Sequence, residues 1–91
     1  MIDEYFGVKR YLAEYSEETE WLIARYDLET FELPAFQKEF GEANPKNPMF
    51  DCYAVAENNI SFLERYLGEK PKWNFNERSY FVEAHSVYKA E

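Results

Sequence analysis

Tyr5-Phe6-Gly7-Val8-Lys9-Arg10-Tyr11-Leu12-Ala13-Glu14-Tyr15 is the stretch whose reading decides the fold. Phe6, Val8 and Leu12 fall on one side of a period-two pattern, and Tyr5, Lys9, Tyr11 and Tyr15 on the other. Alternation rich in aromatics predicts a strand over 5–15. The polar run Ser16-Glu17-Glu18-Thr19 is short enough to be a hairpin connection. Alternation resumes over Glu20 to Leu28: Leu22, Ala24, Tyr26 and Leu28 share one face, and Trp21, Ile23, Arg25 and Asp27 the other. The two runs predict an antiparallel hairpin.

Downstream, Pro34 suits the first turn of a helix, where its missing N–H costs nothing. Leu33, Phe36 and Phe40 follow at spacings of three and four, and Gly41 ends the run. Lys38, Glu39 and Glu42 are expected on the outer face of this short helix. Residues 41–49 contain two X-Pro steps and predict a loop. Phe50 to Ala56 is a short apolar run, read as an internal strand. Glu57 to Leu67 predicts the best helix of the chain, burying Ile60, Leu63 and Leu67, widened by Phe62 and Tyr66, with Gly68 as its cap. From Arg78 to Val87, Tyr80, Val82 and Ala84 alternate against Phe81, Glu83, His85 and Val87, a last strand before a fraying tail at Tyr88–Glu91. The order is ββαβαβ. Two helices with one apolar stripe each are both satisfied by one face of a four-stranded, mainly antiparallel sheet. The expected class is therefore α+β, a two-layer sandwich formed by 1–91 as a single domain.

The charge is uneven. Residues 14–42 hold nine acids against two bases, whereas 1–13 balance and 43–91 carry seven acids and six bases, so nearly all of the net −8 lies in one third of the chain. With 46% hydrophobic and 20% aromatic residues, the chain is no disordered acidic tract. No apolar run approaches the ~20 residues that span a bilayer, and Met1-Ile2-Asp3-Glu4 offers no signal peptide. The lone Cys52 forbids an internal disulfide and suits a reducing cytoplasm. Net negative charge argues against nucleic acid or an anionic membrane as partner, and favours a basic protein or solubility alone.

With both helices on one side, the other sheet face is left open. Its candidates include Tyr11, Tyr15, Trp21, Ile23, Phe81 and His85. Aromatics interleaved with charge are the composition of a protein-binding surface. The alternatives are that the loops fold back over this face, or that the faces are inverted by one residue.

No catalytic, metal or cofactor site is expected. His85 is the only histidine, and zinc wants three or four suitable ligands. Cys52, beside Asp51 in an apolar run, reads as a buried structural thiol. Carboxylates are too abundant for any one pair to signify, and no glycine-rich phosphate loop occurs. The hairpin tip is more suggestive. Glu17, Glu18 and Glu20 cluster there beside the large apolar Trp21, a combination suited to entering a basic groove.

Asn47-Pro48-Met49-Phe50-Asp51-Cys52-Tyr53 and Tyr80-Phe81-Val82-Glu83-Ala84 resemble a family of small bacterial proteins over roughly residues 10–85. Members pair an Asp-Pro-Met-aromatic-x-Cys-Tyr stretch with a Tyr-Phe-Leu-Glu-Ala-like last strand. The chain departs at Asn47, where Asp is usual, and at Ala54, where Pro is frequent. By type, its size and acidity also resemble immunity proteins of bacterial toxin systems, including contact-dependent growth inhibition. That resemblance implies a cytoplasmic, non-enzymatic protein that blocks a cognate toxin, often a basic nuclease. The binding residues expected are Glu14, Glu17, Glu18, Glu20, Asp27 and Glu29 for charge, with Tyr11, Tyr15 and Trp21 as anchors. The alternative is a structural or regulatory module that forms a homodimer through its open face or an edge strand.

Overall fold

A computed structural model describes residues 2–3 and 8–86. The expected strand start at Tyr5–Gly7, Val87 and the tail 88–91 lie outside the described residues. The hairpin forms as its alternation requires. Strand β2 (Val8–Ser16) turns at Glu17–Thr19 into β3 (Leu22–Asp27), pairing Tyr11 with Asp27, Leu12 with Tyr26 and Ala13 with Arg25. A register shift between Glu14 and Tyr15 marks a bulge near the tip. A short strand β1 (Ile2–Asp3), absent from the sequence reading, pairs with Val8 and Lys9.

Helix α1 (Leu33–Glu39) has Pro34 in its first turn, as expected. The run over 50–56 shrinks to a two-residue strand, β4 (Tyr53–Ala54), and is not internal: it pairs only with β5 (Arg78–Ser86). The cause lies upstream. Met49 takes a left-handed φ of 57° and is buried, which swings the chain off the sheet just before Phe50. The expected helix over 57–67 also contracts, to a 3-10 turn (Glu57–Asn59) followed by α2 (Ile60–Glu64). Asn58 and Asn59 are weak helix formers, and the Asn59 side chain accepts from the Ala56 N–H (2.8 Å). At the other end Tyr66 accepts the Glu29 N–H (2.8 Å), and Leu67 bridges to Leu28. The N–H groups of Arg65, Tyr66 and Leu67 still bond back to Phe62 and Leu63, and pairing with the residues after β3 ends the helix there. Gly68 serves that approach and is not a left-handed cap. A Cβ there would overlap the Glu29 carboxylate.

The fold is α+β, with an antiparallel sheet ordered β3-β2-β5-β4 and β1 beside β2 next to β3. Leu12, Tyr80 and Val82 point to the helical layer, where they meet Leu28, Phe36, Met49, Val55, Leu63, Tyr66 and Leu67. Phe36 is the hub of that layer, with the rings of Phe31, Phe62 and Tyr66 centred 4.3, 4.9 and 4.8 Å away. Burying a ring of this size contributes about 2–3 kcal/mol. Arg10 is fully buried on the same side of the sheet. Its Nη1 donates to the Met49 carbonyl (2.7 Å), and its guanidinium lies over the Phe31 ring at 4.1 Å. The resembling 47–53 stretch is therefore structural. Asn47 Oδ1 accepts the Met49 N–H (2.8 Å) while its Nδ2 donates to Glu42 (2.7 Å). No helix among the described residues is long and apolar enough to cross a membrane.

Candidate functional site

Register decides what the open face displays. In β2 and β5, Tyr11 faces Glu83, Ala13 faces Phe81 and Lys9 faces His85. Glu83 becomes the polar centre of the face. It accepts from the Tyr15 hydroxyl at 2.6 Å and from the Tyr11 hydroxyl at 3.1 Å. That bonding, with desolvation and the nearby negative charge, pushes the Tyr15 phenol up to about 12. Tyr11 is raised as well, first by burial and then by Glu83. The Tyr15 ring meets Phe81 edge-on at 5.7 Å. Cys52 is exposed beside them, contrary to the buried thiol expected. Partial desolvation and Glu83 push its thiol up, which opposes thiolate reactivity.

Where the open face meets the hairpin tip there is a cleft of about 520 Å³. It is lined by Tyr15, Ser16, Glu17, Glu20, Cys52, Ser79, Phe81 and Glu83. The tip is held by its own polar groups. Ser16 Oγ accepts the N–H groups of Glu18 (3.2 Å) and Thr19 (3.1 Å), and Thr19 Oγ1 accepts that of Trp21 (3.2 Å). Glu20 closes the turn with a left-handed φ of 64°. The Trp21 side chain that follows is 74% exposed, and Leu22 and Ile23 are 42% and 50% exposed. Three large apolar side chains are thus exposed in a row at the start of β3.

The nine residues expected to bind a partner divide in three. Tyr15, Glu17, Glu18, Glu20 and Trp21 gather at the tip, with Tyr15, Glu17 and Glu20 in the cleft wall. Asp27 and Glu29 are exposed at the opposite end of β3, roughly 20 Å along the strand. Asp27 is paired there with Lys9 (3.3 Å). Tyr11 and Glu14 belong to neither group. Tyr11 is 4% exposed, under Arg25, whose guanidinium stands 5.0 Å from its ring, and beside His85. Glu14 is 7% exposed and lies on the helical side, accepting from the Tyr26 hydroxyl (2.9 Å) and Arg78 Nε (3.0 Å). Neither belongs to an exposed surface.

Phe81, Glu83 and Cys52 were missing from the expected set. Alternation had already put Phe81 and Glu83 on the open face with His85. The pairing of β2 with β5 across about 70 residues, which sets Glu83 between two tyrosines, has no local signal.

Among the described residues, no group of three or more His, Cys, Asp or Glu side chains is placed to hold a metal ion. No curated protein is similar to the chain at a significant level, and no solved structure is. The model of a family described as a domain of unknown function, DUF7683, matches residues 9–83, and the chain belongs to that family.

Proposed function

We propose that the chain is an immunity protein, which binds and blocks a cationic toxin domain, a nuclease in the first instance, through the cleft at the hairpin tip. One observation carries this reading: the cleft wall holds the carboxylates of Glu17 and Glu20, beside a Glu83 engaged by the Tyr11 and Tyr15 hydroxyls, and no described Lys or Arg, with Tyr15 and Phe81 as aromatic walls. Nuclease active sites are basic because they hold phosphate. Carboxylates offered in place of phosphates speed encounter and exclude substrate. Trp21 at the rim supplies the apolar anchor that slows dissociation.

The test uses the toxin domain encoded by the neighbouring reading frame. Co-expression should rescue growth, and the purified pair should associate fast at low salt. Reversing Glu17, Glu18 and Glu20 to Lys should slow association and flatten its salt dependence. Trp21→Ala should mainly speed dissociation. Unchanged kinetics in the triple variant would remove the tip from the interface.

A second reading rests on β3 itself. Among the described strands it pairs only with β2, and Trp21, Leu22 and Ile23 are exposed along it. A homodimer joined at this edge would bury them. Sedimentation at several concentrations separates the two, since a salt-insensitive dimer formed without a basic partner favours the second.

A further inference from the structure

On the opposite side of the sheet from the acidic cleft lies a second and larger one, of about 590 Å³, between β3 and the segment 69–74. Its character is reversed. Arg25, Lys70, Lys72 and Arg78 line it against Glu14 and Glu69, in a chain of ten bases and eighteen acids. We propose that this groove binds a small phosphate-bearing anion.

Three features carry the proposal. The first is that Arg78 is set in place. Glu14 takes its Nε at 3.0 Å and the Glu77 carbonyl takes its Nη1 at 3.2 Å, which uses two of the five N–H donors of a guanidinium. The Nη2 edge stays available in a half-buried side chain. The second is that Lys70 and Lys72 have no acid within ion-pair distance among the described residues, although acids outnumber bases eighteen to ten in the chain. The third is that the wall carrying them is tied to the body of the fold. Pro71 is buried between the two lysines, the Tyr80 hydroxyl donates to the Lys72 carbonyl (3.4 Å), and Trp73 Nε1 donates to Glu64 (3.0 Å).

The acids of the groove do not cancel this. Both Glu14 oxygens are occupied, one by Tyr26 and one by Arg78. Only Glu69 stands against the ligand; Arg25 lines the groove's edge but carries its guanidinium over Tyr11 on the open face, so the groove's cations are Lys70, Lys72 and Arg78. A phosphate monoester carries about −1.5 to −2 charge and three acceptor oxygens at neutral pH, which matches one guanidinium edge and two ammonium groups. A single carboxylate does not. The volume also suits a phosphorylated small molecule.

The test is a backbone-amide NMR titration with pyrophosphate at constant ionic strength. Acetate serves as the control, and the whole chain carrying K70E and K72E as the variant. Both lysines are exposed, so the variant keeps its fold. The expected result is saturable one-to-one shifts confined to 69–78 and β3, no response to acetate, and affinity at least about 10-fold weaker in the variant. A net charge of −8 disfavours diffuse anion uptake, so saturation is informative. Non-saturating shifts spread over the surface, equal binding of acetate, or unchanged affinity in the variant overturn the proposal. So does self-association of the unliganded chain that K70E/K72E abolishes, because the groove would then hold the acidic tip of a second copy.

Discussion

Glu83 and Glu14 do the same work on opposite faces of the sheet: each is a carboxylate that fixes tyrosine hydroxyls. The consequence is measurable in alkali. Tyr15 is raised to about 12 by its bond to Glu83, and Tyr26 to about 12 by burial and its bond to Glu14. A phenol raised in the fold keeps its proton longer there than in the unfolded chain. Its contribution to stability is therefore whole below pH about 10, falls as pH rises, and is lost above about 12. Phenolate absorbance should show these two tyrosines ionising last, and Glu83→Gln should bring Tyr15 down without moving Tyr26. A joint shift of both would mean the variant had loosened the fold. Asn47 gives a second prediction. Its side chain accepts from Met49 and donates to Glu42. Asn47→Asp keeps the first bond and sets a carboxylate against Glu42. A loss of about 1–2 kcal/mol in urea melts is expected, and an unchanged midpoint would show that Glu42 turns away. The same scale explains what composition concealed. Of the nine acids in 14–42, Glu14, Glu32, Glu39 and Glu42 accept bonds from buried or half-buried donors. A count of charges cannot separate a carboxylate that solvates a surface from one that satisfies a tyrosine or an asparagine.

Among the elements, the hairpin was the most legible in the sequence because its residue types alternate with period two, although β2 itself is buried on both faces from Arg10 to Glu14. Face assignments for β2, β5 and β3 from Ala24 onward follow the alternation of Leu12, Tyr26 and Val82 against Tyr11, Arg25 and Phe81, whereas the bulge sets Leu22, expected beside Ala24 and Tyr26, opposite Tyr15. The 57–67 helix and the 50–56 strand were overdrawn for two kinds of reason. Locally, Asn59 takes the Ala56 N–H and Met49 adopts a left-handed φ. At a distance, the Leu28–Leu67 bridge and the Arg10–Met49 bond act on neighbouring residues, and local patterns do not see these. The tip carries a feature that no pattern shows, a glutamate at left-handed φ. Such a conformation costs a residue with a Cβ roughly 1–2 kcal/mol. Glu20→Gly relieves that and gives back part of it through a freer unfolded chain. A net gain of up to ~1 kcal/mol is expected, or about 4–8 °C in Tm for a domain of this size. A lower Tm would show that the Glu20 carboxylate itself stabilises the turn. On the proposed function, the same variant should also capture a basic partner more slowly.

At the scale of the whole molecule, charge is divided by the sheet. The acidic cleft lies on the open face and the basic groove on the helical side. Only two ion pairs, Lys9–Asp27 and Arg78–Glu14, join side chains among the described residues. With eighteen acids and ten bases, repulsion among unpaired carboxylates should then outweigh attraction. The dimensions make this testable. The molecule extends 36 × 33 × 22 Å. In ~0.01 M salt the screening length is about 30 Å, so a charge on one side is felt nearly across the whole body. In ~0.15 M salt it is about 8 Å, and only neighbours interact. Raising NaCl between these limits should therefore raise Tm, most steeply at the low end. The gain should be smaller when Glu17, Glu18 and Glu20 are replaced by Gln, since three repelling charges at one tip are gone. A Tm that falls with salt would mean that attraction dominates, and the partly buried Arg78–Glu14 pair would be the first place to look. It is the least screened of the two, with Glu14 closed off from solvent while Lys9 and Asp27 are open to it.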